Sequence, residues 1–562
     1  MLKMKNFTLP GMELPESTTP VCLSIGPLFD LLHAEFLKGK YGETIVNGGL
    51  PPFTAVIGSV NNYKTMLMLH MTMMALTRII ESGYPSQVET LDTEISMKLT
   101  RILNLAKYFD NGHLSGLTEY IKKFWHISDT NSISTNEWVA KFEKLATDKE
   151  KDKSIEVEYE AFLSPLTGKA IKNKIPTFLN IDTFTKFTND KAFTKVADND
   201  LDDSATNTLF MNIGMFKKKF LLSLPRNLAR ANIYAILTAH VGEKISIESG
   251  PSMYIKPSKQ LQYLKGGDEI EGGTKDFKQA PNLMFRAHTA KPLTIKNNKG
   301  VVPEYPVHEN DASTDLNIVT LTVLRNKSGH SGISIPVIVS QSEGVKPWLS
   351  AFRYLVEVGK FGISGNNISY YLDLIPDIKL QRTTVRKKID ENPKLRRALE
   401  FTSGMFQLIM TRSEYKDSKY IIHPEKLYNK IKDMGYDWDI LLSTREYTLI
   451  DNYNPEYTNY LSTPDLLDMY LEEYHPWWYP TENIKNSYLN KDKIECEQII
   501  KQNLNNENLS SNIQQMSLIR NQITTKYVCG INSYHNFMLF ISETKNGKSC
   551  KNHYLSNLEL GD

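Results

Sequence analysis

Residues 47–76 read NGGLPPFTAVIGSVNNYKTMLMLHMTMMAL. The apolar run from Phe53 to Ile57 has the length and composition of a buried strand. It passes into GSVNNYKT, residues 58–65, and then into residues 64–81, which are apolar all round, as a helix buried under a sheet must be. Strand, loop and helix in this order is the setting in which a GxxxxGK[ST] loop holds phosphates. Backbone N–H groups at the helix N-terminus cradle the anion, the Lys ammonium reaches the terminal phosphates, and the hydroxyl binds Mg²⁺. Gly58, Lys64 and Thr65 occupy those three positions, with Ser59, Val60, Asn61 and Asn62 completing the loop. Tyr63 stands where the second glycine belongs. The methionines of the helix (Met66, Met68, Met71, Met73, Met74) read as adaptable core filler.

The rest of the chain limits what such a loop can serve. At 562 residues, two or three domains with ample core are expected. Hydrophobic content of 41% and charged content of 23% are those of a globular protein. A net charge of +2 announces no global nucleic-acid binding, so any DNA site is a local patch. Cys22, Cys496, Cys529 and Cys550 form no CxxC, which points to a reducing compartment. No run is long and apolar enough for a transmembrane helix, and the N-terminus lacks a signal-peptide core.

Strands and helices alternate through the first two thirds. Residues 25–37 read as an amphipathic helix, with Leu28, Leu31, Leu32 and Phe36 on one face. Strands are expected at Gln87–Leu91, Pro176–Thr183 and Ile233–Thr238, helices at 95–108, 134–148 and 208–231, and a hairpin within 158–174. Residues 242–299 show no convincing core element. A β-hairpin follows at Asn317–Leu324 and Ile333–Val339, then a helix at 347–359. The alternation predicts an α/β domain with a mainly parallel sheet. From about residue 370 it stops. A basic helical run (Arg382, Arg386, Lys387, Lys388, Lys394, Arg396, Arg397) reads equally as a duplex-DNA surface or a solvated helix face, and Thr463 reads as an N-cap.

Several residues complete a nucleotide-hydrolysing site. Asp182 ends an apolar strand, where a carboxylate holds Mg²⁺. Glu94, in TLDTE, lies just past a strand end and suits the group that polarises the attacking water, with Asp92 competing for that role. His240 ends the strand ILTAH; it reads either as a satisfied core residue or as a sensor of the terminal phosphate. Residues 242–299 carry ten Lys/Arg against six Asp/Glu, interleaved with Tyr254, Tyr263, Phe277 and Phe285, a pattern for tracking phosphates and stacking bases. Within it Lys256, Lys259, Lys265, Lys275, Lys278 and Arg286 are the candidate DNA contacts. Arg325 and Lys327 flank Asn326 at a strand end and suit cations donated in trans. Cys529, His535, Cys550 and His553 are spaced too loosely for an ordinary zinc site.

Taken in order, GGLPPFTAVIGSVNNYKT, ETLDTE, PTFLNIDTF, NLARANIYAILTAHVGE, NIVTLTVLRNKSGHSG and IVSQSEGVKP resemble the RecA-type recombinases, and most of all the tailed-phage branch called UvsX. That branch also carries a bulky aromatic residue before the P-loop Lys and a His before its second DNA loop. The resemblance covers roughly residues 20–365. It implies a RecA-like P-loop ATPase core at 46–365, an N-terminal oligomerisation segment at 1–45, and a mostly helical C-terminal accessory region at 366–562. It also implies ATP and Mg²⁺ as cofactors. Lys64, Thr65 and Asp182 would bind nucleotide and metal, Glu94 would be catalytic, His240 the switch, and Arg325 and Lys327 the cations crossing a subunit interface. The implied partners are single-stranded DNA, duplex DNA and further copies of the chain in a filament, with no membrane, in the cytoplasm of an infected bacterium.

Three departures stand out. The first DNA loop, within 185–207, carries Asp190, Asp198, Asp200, Asp202 and Asp203. The segment 242–299 is longer than the usual second loop, and residues 366–562 have no counterpart in the family. Two rivals follow: a ring-forming replicative helicase with the same core, and a non-enzymatic DNA-organising protein with a degenerate P-loop.

Overall fold

The computed structural model describes residues 21–479, except 40, 110–115, 164–169, 190–203, 244–260, 265–267, 272–274, 298–299, 309–310, 312, 367, 412–417 and 448–458. It is a mixed α/β structure built on one large, mostly parallel sheet, with eleven α-helices among the described residues. The main strands are β1 (Phe53–Gly58), β2 (Gln87–Asp92), β3 (Trp125–Asp129), β4 (Thr177–Asp182), β5 (Ile233–Glu243), β6 (Leu283–Ala287), β7 (Leu316–Asn326), β8 (Ser334–Ser340) and β9 (Gly344–Val345). Their spatial order is β9-β8-β7-β6-β1-β5-β4-β2-β3. From β6 to β3 every pairing is parallel, whereas β7, β8 and β9 are added antiparallel.

Alternation along the central strands explains why both faces are covered. Val56, Val88, Phe178, Tyr234, Ile236 and Phe285 point into one cluster, with α1 (Lys64–Glu81) packed on them. Their neighbours Ala55, Ile57, Leu179, Ile181, Ile233, Ala235, Leu237 and Met284 point into the other, against the helix Thr135–Lys151 and α2 (Ser204–Ala231). A parallel sheet buried on both faces needs apolar residues of both parities, and these strands supply them. Helix α1 is enclosed, so its methionines all pack, and its bounds match the expected ones. Ser134 caps the helix Thr135–Lys151 by accepting from the Glu137 N–H, 3.2 Å.

Two expectations fail for identifiable reasons. Residues 25–37 are not a helix: turns lead into a strand, Glu35–Lys38, paired with Thr44–Asn47. Asp30 is the cause. Its carboxylate accepts from the Ser24 hydroxyl (2.6 Å) and from the N–H groups of Ile25 (2.8 Å) and Gly26 (3.2 Å), and such local bonds compete with a helical ladder. Leu28, Leu31 and Leu32 are buried nevertheless. The second failure concerns 242–299, which contains β6, a strand lying directly beside β1. Phe277 and Phe285, read as base-stacking rings, are core residues: Phe277 stacks on Phe184 at 5.0 Å, and Phe285 meets Phe29 edge-on at 5.7 Å. Tyr263 is exposed, and Tyr254 lies outside the described residues.

The C-terminal region opens with a three-stranded sheet, Ile363–Gly365, Tyr370–Leu372 and Ile375–Leu380, and continues as helices, chief among them α3 (Pro393–Met410). One buried cluster joins its Leu395, Leu399 and Phe401 to Leu31, Val46, Leu316, Ile338 and Leu349. Gln407 of α3 accepts from the Leu31 N–H at 3.2 Å and donates to the Pro27 carbonyl. Most of the basic run is spent internally. Arg386 is buried in a fork with Asp315 (2.8 and 3.1 Å) and Glu343 (2.9 Å). Arg397 is buried with Glu400, 2.8 Å, and Arg396 lies over the Trp348 ring. Lys394 pairs with Asp439 at 2.6 Å. Arg386 and Arg397 are thus core-facing, while Lys387 stays exposed, 3.8 Å from Glu391. The last helix among the described residues, Thr463–Tyr470, is capped by Ser462 in a capping box with Asp465, so Thr463 is its first residue and not its cap.

Candidate active site

Loop residues 58–65, Glu94, Asp182 and His240 converge because the strand register brings Gly58, His240, Asp182 and Asp92 to one edge of the sheet. Gly58 pairs with His240 across β1 and β5, and Asp182 pairs with Asp92 across β4 and β2. This is the carboxyl edge of a parallel sheet, where α/β proteins bind ligands. A cavity of about 340 Å³ opens there, lined by loop residues 60–65, Glu94, Arg101, Asp182, Thr183 and His240.

The loop's residue types follow from its surroundings. A Cβ on Gly58 would sit 2.5 Å from the Ala287 carbonyl, so β6 requires glycine there. Asn61 and Tyr63 lie in the left-handed region, φ 61° and 57°. Left-handed residues build the concave nests in which backbone N–H groups bind anions. For Tyr63 that conformation costs roughly 1–2 kcal/mol, which a glycine would not incur. Its hydroxyl accepts from Asn317 Nδ2 at 2.9 Å, and its ring packs partly on the core. Asn62 ties the loop to the end of β6 by donating to the Ala287 carbonyl, 3.3 Å.

Lys64 is buried, and its ammonium donates to the Ser59 carbonyl at 2.7 Å. Burial lowers its pKa, and the carboxylates of Asp182, Glu94 and Glu271 oppose that shift. Asp182 accepts from the Thr65 hydroxyl (2.7 Å) on one oxygen and from the Thr238 hydroxyl (2.6 Å) on the other. Burial raises its pKa against those two hydrogen bonds. A buried carboxylate beside a hydroxyl at a helix N-terminus fits a hard divalent cation, which takes oxygen ligands and compensates the charge.

Glu94 Oε1 lies 2.9 Å from His240 Nε2 and 3.5 Å from Lys186 Nζ. Burial would raise the Glu94 carboxyl, but the His240 hydrogen bond and the Lys186 charge outweigh it and hold it low. Asp92 has another task. Its carboxylate accepts from the N–H groups of Glu94 (3.0 Å), Ser96 (2.7 Å) and Met97 (2.6 Å), and so shapes the turn that presents Glu94. Of the two, Glu94, held by His240 and Lys186, lines the cavity, and Asp92 does not.

Other candidates lie elsewhere. Arg325 and Lys327 are at the opposite edge of the sheet: Arg325 pairs with Met284, whereas Ala287 of the same strand pairs with Gly58. They donate to the carbonyls of Pro281 (3.1 Å) and Ala280 (3.0 Å). Within one chain they do not meet Lys64. Arg286 is not a loop residue; it sits in β6, ion-paired with Asp268. Lys275 and Lys278 bound a short 3₁₀ turn anchored by buried Phe277. Lys256, Lys259 and Lys265, the five aspartates of the acidic loop, and the Cys/His pairs beyond residue 528 lie outside the described residues. Arg101 is a cavity residue that the sequence reading missed; its signal was a cation seven residues past Glu94, in the first turn of the helix Leu99–Phe109.

The chain matches no protein-family model, and no curated protein is significantly similar to it.

Proposed function

We propose that the chain is an ATP-dependent DNA recombinase of the RecA type, forming filaments on single-stranded DNA and promoting homologous pairing and strand exchange in phage recombination, repair and replication. One observation carries the reading. Lys64, Thr65, Asp182 and Glu94 line a single cavity at the carboxyl edge of the sheet, with Thr65 and Asp182 2.7 Å apart. In this reading Lys64 and the loop N–H groups hold the phosphates, and Thr65 and Asp182 hold Mg²⁺. The metal supplies charge neutralisation at the transferring phosphoryl group. Glu94, kept ionised, orients and polarises the attacking water. His240 reports the state of the site to the segment beyond β5, and Arg325 with Lys327 serves the nucleotide of a neighbouring copy. Their place at the far edge of the sheet suits donation in trans and excludes a role in the chain's own cavity.

ATP hydrolysis tests this directly. The full chain with Mg²⁺ is expected to turn over ATP, and saturating single-stranded DNA is expected to raise the rate by about tenfold or more, the effect of improving transition-state stabilisation by about 1.4 kcal/mol. No turnover under either condition would favour a DNA-organising protein with an inactive P-loop.

A further inference from the structure

Thr185 lies in the 3₁₀ turn Phe184–Lys186, just past Asp182, and its hydroxyl and carbonyl together bind three segments. Its hydroxyl accepts from the His240 backbone N–H at 2.8 Å and donates to the Glu271 carbonyl at 3.2 Å. Its own carbonyl accepts from the Lys217 ammonium of α2 at 2.9 Å. Lys217 is buried, lies over the Phe184 ring, and has a pKa lowered by burial to about 8.

Each partner belongs to an element with its own reach. His240 holds Glu94 through its ring. Glu271 ends a two-stranded ribbon, Val241–Glu243 against Asp268–Ile270, which brackets residues 244–267. The Glu271 N–H returns to the His240 carbonyl at 2.9 Å, and its carboxylate acts on Lys64. Helix α2 follows directly on the acidic residues 190–203. The two segments nearest in sequence to the candidate DNA contacts therefore meet the hydrolytic site through one residue. A hydroxyl that both accepts and donates fixes the spacing of its two partners, because neither bond survives a shift of one partner without the other.

We propose that Thr185 is a positioning residue that couples DNA occupancy to ATP turnover, setting His240, and through it Glu94, according to the state of the ribbon and α2. This rests on the recombinase reading. It assigns the coupling to a residue that touches neither nucleotide nor metal.

The test measures turnover by the full chain with and without a single-stranded oligothymidine. Thr185→Val is expected to keep the basal rate within about twofold and to lose about tenfold of the DNA-stimulated rate, as for one or two hydrogen bonds. Thr185→Ser, which keeps the hydroxyl, is expected to retain both rates. Stimulation undiminished in Thr185→Val overturns the proposal, as does an equal fall of basal and stimulated rates, which marks a structural role. If Thr185→Val does not fold, Lys217→Met takes its place: loss of stimulation at near-normal basal rate supports the coupling, and unchanged stimulation overturns it. A wild-type chain with no DNA stimulation overturns the recombinase reading itself and this proposal with it. Stimulation in both the wild type and Thr185→Val overturns this proposal alone.

Discussion

Lys64→Ala is expected to lower ATP turnover by on the order of a thousandfold and to weaken nucleotide binding, the scale seen when one positioned electrostatic contact to a developing anion is removed. The ammonium is buried at the N-terminus of α1, where loop N–H groups and the helix dipole already favour anions. Alanine leaves those amides in place but removes the ammonium that, in the proposed reading, follows the terminal phosphates. It also strips Asp182, Glu94 and Glu271 of the cation that offsets their mutual repulsion. Fluorescent-nucleotide titration and a steady-state hydrolysis assay read the two effects separately. Retained turnover would refute the site.

Glu94→Gln should separate binding from chemistry. Turnover is expected to fall by on the order of a hundred- to ten-thousandfold, the range for removing a general base, while nucleotide affinity changes little. Glutamine keeps the size and a partner for His240 Nε2 but cannot take a proton from water. His240 and Lys186 hold the Glu94 carboxyl below its ordinary value of 4.5. A base with a lowered pKa stays ionised as pH falls, so the wild-type rate should show no loss attributable to Glu94 between pH 8 and pH 5. An acid limb centred above pH 6 that vanishes in Glu94→Gln would contradict this assignment. Equal loss of affinity and turnover would instead make Glu94 a binding residue.

What could be read from the sequence, and what could not, divides along sequence separation. Helix α1, β1 and β4 are set by runs of apolar residues and appear where periodicity places them. Gly58 and Asp182 end their strands as their apolar runs imply, and Glu94 follows β2 by two residues, but His240 lies inside β5, which runs on to Glu243 where the sequence suggested an end near Thr238. Long-range pairing was not legible. Asp30 redirects residues 25–37 from helix to turn. Strand β6 has only five residues amid polar sequence, and its place beside β1 comes from pairing alone. The basic run looked available because four of its partners, Asp315, Glu343, Asp439 and Glu446, lie 43 or more residues from the cations they pair with. Tyr63 looked like a defect. In the fold it takes a glycine's backbone conformation and is held by Asn317, more than 250 residues on.

Electron microscopy of the full chain with single-stranded DNA, Mg²⁺ and a slowly hydrolysed ATP analogue tests the central claim most directly. Continuous helical filaments on the DNA are expected. Lys64→Ala, which holds more weakly the nucleotide that Arg325 and Lys327 of the next copy would reach, is expected to form few or none. Closed six-membered rings would contradict the claim in favour of a helicase, and DNA coated equally well without nucleotide would contradict it in favour of a passive DNA-organising protein.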